Sequence, residues 1–456
     1  MSAADTAAPA TTPSAGRSWW RAPPRDGPSG AAQLARSGRG QLGELALWVV
    51  LVATLTGATA LLVAAGVHYA PAGRSEPAAG TLPLTWPPRL TPRTALAPAL
   101  AAGALLAATL AGRRPAGHRT PAFGRPLILS YLVTVAWWLA LGAASRPGER
   151  VAGALLAAGD RAPSDLLHAT SSQPPGPALL VWVLTRSGLH GSLAVGLAFT
   201  ALGALVVPLV ALAVRSLCHE PAARRLLPVL AFAPWAPFAV ASRDAVTAAV
   251  AAAALAVGVV GCERGRRAWW ALGAGLLLGV AGLFSFPAMW LGVAVAAAYF
   301  VRRRPLLNVI TGVGALVPLF ALRLAGYSWP DGLARAGTGL FDYAAALTWL
   351  VPDLLVVLLC CGPVLVRAAR RVAMTPGWPF LVGATAAALF ALLDGLASGG
   401  VATSWLSLFP WLLVAALAPR PRPAQPGDTS SAGAVPYGLV GAGAAVAVVL
   451  AALLAT

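Results

Sequence analysis

The sequence predicts an all-α polytopic membrane protein with about 12–13 transmembrane helices and a cytoplasmic N-terminus. Three observations predict it. The chain is 58% hydrophobic and only 11% charged, with a mean hydropathy of +0.74, more apolar surface than a soluble domain can hide. Apolar runs close to the roughly 20 residues that cross a bilayer recur along its whole length. They do not alternate as barrel strands would, and a segment in lipid must satisfy its own backbone hydrogen bonds, so each run is a helix. The third observation is the placement of the arginines, which supply all the positive charge because the chain contains no lysine.

Residues 1–42 are rich in Ala, Pro, Ser, Gly and Arg and read as a disordered cytoplasmic tail. They are no signal peptide, since the first apolar run starts late and is long enough to span. Residues 43–418 form the polytopic domain. Its expected spans are 44–66, 95–112, 126–144, 191–216, 226–241, 243–261, 269–284, 286–301, 306–325, 346–366, 379–397 and 402–418. Two need comment. The 226–241 run is short and carries Pro228, Pro234 and Pro237. The 269–301 stretch divides at Ser285-Phe286-Pro287, with one long tilted helix as the alternative. A Pro-rich linker, 419–435, then leads to a terminal helix over 436–456, which is made of small residues.

The short loops alternate between arginine clusters and near-neutral turns. Arg113 and Arg114, Arg224 and Arg225, Arg264 to Arg267, Arg302 to Arg304, and Arg367 to Arg371 all fall on the side of the N-terminal tail. This is positive-inside sorting, and it places a multi-pass protein in the plasma membrane with the bilayer as its first partner. The net charge of +18 is then mostly a cytoplasmic fringe facing anionic headgroups. Nucleic acid is excluded as a partner because the arginines are dispersed among helix ends and build no aromatic-laced patch. Cys218 and Cys262 fall at cytoplasmic helix ends and Cys360 and Cys361 inside a span, without metal-ligand spacing; they read as small apolar fillers. Trp137, Trp138, Trp269, Trp270 and Trp329 read as interface anchors.

Chemistry is confined to the outer side. Of the 15 acidic residues, Glu76, Glu149, Asp160, Asp165, Asp244, Asp331 and Asp342 fall outside. Asp353 and Asp394 lie within spans, toward their outer ends. Asp353 follows Pro352, an arrangement suited to a helix start. In Ser242-Arg243-Asp244 the bland reading is an N-cap, with Ser242 capping and Asp244 favouring the helix dipole; the alternative is an anion or metal site. The outer loop 145–190 holds Glu149, Asp160, Asp165 and His168, a short interfacial helix over 151–158, and then Gln173-Pro174-Pro175-Gly176. The prolines fix φ and Gly176 allows a close approach, so this is a rigid elbow. The apolar run after it, 177–185, is too short to span.

Three pieces of sequence carry a resemblance. Gln173-Pro174-Pro175-Gly176-Pro177-Ala178-Leu179-Leu180 resembles a His-Pro-Pro-Gly elbow. Ser242-Arg243-Asp244-Ala245-Val246 resembles a Ser-x-Asp-Ala motif. The run from Gly399 and Gly400 through Thr403, Trp405 and Leu406 to Pro410-Trp411 resembles a Gly-Glu-x-x-Arg segment followed by Trp-Leu and Pro-Trp. In this order, over roughly residues 126–418, they resemble the polytopic glycosyltransferases of the C superfamily (GT-C), and more narrowly actinobacterial integral membrane proteins of that architecture. The resemblance implies a mannosyltransferase-like enzyme that takes a sugar from a polyprenyl-phosphate donor at the outer face. A first-loop carboxylate (Asp165, Asp160 or Glu149) would deprotonate the acceptor, and Arg243, Arg186 or Arg335 would hold the departing phosphate. Gln173, His168 and Asp244 complete the implied substrate-binding set. No cofactor follows from the sequence, with a divalent cation left open. The departures fall on the titratable members: Gln173 replaces the family histidine, Gly400 its glutamate and Thr403 its arginine. They motivate the alternative of a catalytically degenerate relative acting as a scaffold or lipid-binding protein. A transporter or flippase is the third reading, although no polar stripe crosses mid-membrane.

Overall fold

The computed structural model describes residues 30–67, 122–142, 156–169, 173–263, 268–336, 343–396, 400–417 and 435–454. The expected 95–112 span, Glu149, and most of the N-terminal tail and of the Pro-rich linker lie outside these residues. The helices are α1 (Gly30–Ala64), α2 (Gly124–Gly142), α3 (Pro163–Ala169), α4 (Gly176–Arg186), α5 (Ser192–Ala204), α6 (Val206–Leu217), α7 (Glu220–Ala231) and α8 (Arg243–Gly261). They continue as α9 (Trp269–Phe284), α10 (Gly292–Val301), α11 (Leu307–Leu324), α12 (Trp329–Ala336), α13 (Tyr343–Cys361), α14 (Val364–Arg371), α15 (Trp378–Leu393) and α16 (Tyr437–Leu454). This is an all-α, multi-pass membrane fold. Among the described residues six helices are long and apolar enough to cross a bilayer, and the bent pair α13–α14 makes a seventh. Four shorter apolar helices, Gly176–Arg186, Trp269–Phe284, Phe286–Val301 and Trp378–Leu393, accompany them.

The bundle is built around α8, most of whose residues are buried, whereas over residues 40–64 α1 is mostly exposed and faces lipid. Alanines make that centre possible: Ala248, Ala249, Ala251, Ala252, Ala254 and Ala256 are buried along α8, so α5, α6 and α9 can all approach it. The tightest seam joins α9 to α11. A Cβ on Gly275 would run into the Thr311 carbonyl, and one on Gly279 into that of Ala315. Thr311 Oγ1 donates to the Ala271 carbonyl at 3.1 Å. It therefore accepts from the Tyr299 hydroxyl, also at 3.1 Å.

The division at Ser285 is real. Ser285 is extended (φ −156°, ψ 129°), and a 3₁₀ turn over Phe286–Leu291 leads into α10. Two expected spans are broken pieces. The 226–241 run is α7 followed by a single turn at Ala236–Ala239, interrupted at Ala233-Pro234, where Pro234 has no N–H to continue the ladder. The 402–418 run is three short turns, Val401–Ser404, Phe409–Leu412 and Val414–Ala416. The 346–366 run bends by 102° between α13 and α14. Gly362 (φ +67°) packs on Pro234 there, and Pro363 precedes the new helix. Pro352 does not start a helix; it lies inside α13, and Asp353 after it is buried. Asp394 is the C-cap of α15 and is also buried. Trp137 and Trp138 are not interface anchors, being only 1% exposed. They face inward from α2, and Trp137 meets Phe232 edge-on at 5.4 Å. Trp269 stays exposed and stacks on Trp270.

The arginine-rich end is stitched by specific bonds. Ser216 Oγ donates to Glu263 Oε1 at 2.8 Å, and Arg302 Nη2 donates to the Ser216 carbonyl at 2.7 Å. Glu220 takes both Arg215 and Arg224. All four cysteines are free. Burial pushes the Cys218 thiol up to about 12 and outweighs the nearby Arg302, so it is not a ready nucleophile. The 19 residues of α8 rise about 28 Å, matching the hydrocarbon thickness. Arg243 therefore stands a membrane's width from that stitched end.

Candidate functional site at the elbow

The elbow is locked by packing as well as by its prolines. Pro175 is the N-cap residue of α4 (φ −77°, ψ −11°), and Pro177 occupies the first turn. Gly176 sits against α9: a Cβ there would stand 2.6 Å from the Leu283 carbonyl and 2.6 Å from the Phe284 ring. No other residue lets the chain turn so close to that helix end. α4 has 11 residues, about 16 Å of helix, so it cannot cross the membrane. α3 lies alongside it, with Leu166 buried against Ala178, Leu179 and Trp182. The preceding 3₁₀ turn, Ala157–Asp160, packs at the far end of α4, where Gly159 meets Thr185.

Gln173 is the meeting point of three elements. Its side-chain Oε1 accepts from Arg243 Nη1 at 3.2 Å. Its backbone carbonyl accepts from the Tyr327 hydroxyl at 3.3 Å. Arg243 opens α8 behind Ser242, whose Oγ accepts from the Asp244 backbone N–H at 3.1 Å. The cap expected from the sequence thus holds Arg243 in place, and Asp244 Oδ2 lies 4.0 Å from its Nε. Tyr327 is buried beneath the elbow. Desolvation pushes its phenol up to about 12 against the opposing charge of Arg335, so Arg335 shares this neighbourhood. The turn bearing Tyr327 is fastened to α9 by Trp329, whose Nε1 donates to the Gly282 carbonyl at 3.0 Å. The Trp329 ring meets Phe286 edge-on at 5.3 Å.

No protein-family model matches this chain, and no curated protein matches it. Its fold is similar to a crystal structure of ArnT from Cupriavidus metallidurans bound to undecaprenyl phosphate. The similarity has a TM-score of 0.42 at 17% sequence identity and covers 63% of this chain and 59% of that one, less than two thirds of its length.

Of the residues singled out from the sequence, Gln173, Arg243 and Asp244 come together, and Arg335 joins them through Tyr327. Arg186 does not. It ends α4, about 15 Å of helix from Gly176, with its guanidinium 5.6 Å from the Trp182 ring. Asp160 is exposed at that same distant end. Asp165 is exposed on α3, accepting from Ser164 Oγ at 3.4 Å; its neighbour Leu166 packs toward the elbow half of α4. His168 is in the last turn of α3. Tyr327 was not singled out for the site, because one tyrosine among interfacial aromatics carries no mark of its partner 154 positions away. A divalent cation fits this cluster poorly. The nearest charge to Asp244 is a guanidinium, and among the described residues no three His, Cys, Asp or Glu side chains gather to hold a metal. What the cluster offers is the exposed Arg243 guanidinium, with Arg335 in its neighbourhood, at the end of the bundle away from the arginine fringe, which suits an anion.

Proposed function

We propose that this membrane protein binds a polyprenyl-phosphate-linked sugar at its outer face and transfers the sugar to an acceptor hydroxyl. One observation carries the reading: Arg243 and Tyr327, from two distant elements, converge on the elbow at Gln173, with Arg335 beside them. The likeness of the elbow and of Ser242-Arg243-Asp244 to GT-C motifs supports the substrate class. In this reading Arg243 and Arg335 bind the donor's phosphate. Asp165, on the helix that packs along α4, takes the proton from the acceptor hydroxyl. The acceptor oxygen then bonds to the anomeric carbon as the bond to the phosphate oxygen breaks, and the two guanidiniums stabilise the charge gathering on the phosphate. Gln173 replaces a titratable imidazole with a neutral amide, which aims Arg243 without competing for the phosphate.

The test is sugar transfer from a polyprenyl-phosphate donor by the purified full chain in lipid nanodiscs. Arg243→Gln is expected to cut transfer by about 10²-fold or more and to weaken donor binding. Asp165→Asn is expected to abolish transfer while donor binding persists. Transfer that survives both changes would overturn the reading. A second reading, lipid-phosphate binding without chemistry, is favoured by the loss of titratable groups at Gln173, Gly400 and Thr403 and by the solvent exposure of Asp160 and Asp165. Donor binding that depends on Arg243, with no transfer to any acceptor offered, would select it.

A further inference from the structure

A groove of about 1000 Å³ runs along the elbow half of α11 and shares no residue with the elbow cluster. That volume is at the upper end of the roughly 300–1,000 Å³ usual for ligand pockets. Leu316, Val317 and Phe320 form its apolar floor and are open to lipid. Its head is the turn from Ser328 to Asp331, held rigid by the bond from Trp329 to Gly282. Two opposite charges line the head: Arg323 in the last turn of α11 and Asp331 in the first turn of α12. Both are exposed. Among the described residues neither side chain is in an ion pair or hydrogen bond, with the other or with anything else. An arginine alone at a helix end is a snorkelling residue. A carboxylate on the same groove, left unpaired with that arginine, is not explained by snorkelling.

We propose that this groove binds one outer-leaflet glycerophospholipid whose headgroup carries a phosphate followed by a primary amine. An acyl chain lies on Leu316, Val317 and Phe320, the phosphate meets Arg323, and the ammonium donates to Asp331. The chemistry is selective. A quaternary ammonium has no N–H to donate to the carboxylate, and an anionic headgroup without an amine brings like charge against Asp331. The site is independent of the proposed sugar donor, which belongs to the cluster around Gln173.

The experiment is native mass spectrometry of the purified full chain, delipidated in detergent and offered phosphatidylethanolamine, phosphatidylcholine or phosphatidylglycerol at equal concentration. Phosphatidylethanolamine is expected to be retained about tenfold more than either, the scale of one charge-assisted hydrogen bond. Asp331→Asn is expected to bring it down to the phosphatidylcholine level and to raise phosphatidylglycerol. Arg323→Gln is expected to lower all three, and Leu316→Trp, which fills the floor, to do so whatever the headgroup. Equal retention of all three lipids would make the groove an ordinary lipid-facing surface and overturn the proposal. A preference that survives Asp331→Asn, or displacement of the phospholipid by polyprenyl phosphate, would also overturn it.

Discussion

One hydroxyl ties the elbow to the turn that precedes α12. Tyr327 donates to the Gln173 carbonyl, and Gly332 packs so near that a Cβ there would lie 2.6 Å from the Tyr327 oxygen. Tyr327→Phe removes one part-buried hydrogen bond, a loss of about 1 kcal/mol. The pH dependence has a definite sign. Burial raises the phenol from the usual value of about 10 to about 12, so the folded state favours the neutral form. That stabilisation is fully present below pH 10 and is lost as pH rises from about 10 through 12. The wild type should therefore melt above Tyr327→Phe below pH 10, and this lead should shrink and then reverse as pH rises toward 12; a constant difference across that range would contradict the assignment. The Ser242 cap was legible in the sequence, because capping is local and acts over two residues. The contact between Arg243 and Gln173 was not, since 70 positions separate them and no local pattern encodes a meeting at that range.

At the scale of elements, glycine placement decides which helices touch. Gly312 and Gly314 lie two residues apart on α11, and so on opposite faces. A Cβ at Gly314 would stand 2.5 Å from the Leu272 carbonyl on α9, whereas one at Gly312 meets nothing within 4 Å. Gly314→Ala is expected to force α9 and α11 apart and cost about 1–3 kcal/mol. Gly312→Ala is expected to be neutral or stabilising by up to about 1 kcal/mol. Melting temperatures in one detergent decide it, and equal effects would mean the seam is not glycine-dependent. Hydropathy located these helices well: the 243–261 and 269–284 spans coincide with α8 and α9. It could not see where an apolar run breaks. Pro352 is carried within α13, while Gly362-Pro363 turns the chain by 102°. The two prolines look alike in composition. They differ because Gly362 adopts a positive φ and packs on Pro234, a tertiary contact that no window average registers.

For the whole molecule, the alternating arginines predict the way the chain is laid through the membrane, because insertion reads charge at span ends. They do not predict how the first and last described helices are joined. α1 carries Glu44, buried and 3.5 Å from Arg367 on α14. One turn further on, Trp48 Nε1 donates to the Leu358 carbonyl on α13 at 2.9 Å. Gln41 Oε1 accepts from the Gly438 backbone N–H at the start of α16. The first helix thus clasps both the bent pair and the last helix, and the Glu44–Arg367 contact is screened from water. Nothing in the sequence around Glu44 marks this pairing, since a partner 323 positions away has no local signature. Removing either member strands the other. Glu44→Gln and Arg367→Gln are each expected to cost about 3 kcal/mol or more, whereas replacing both by apolar residues of similar volume restores most of that loss. The coupling is read from the melting temperatures of the two single variants and of Glu44→Leu/Arg367→Met. Single losses that simply add in the double variant would show that the clasp does not depend on this ion pair and is held by the Trp48 and Gln41 contacts instead.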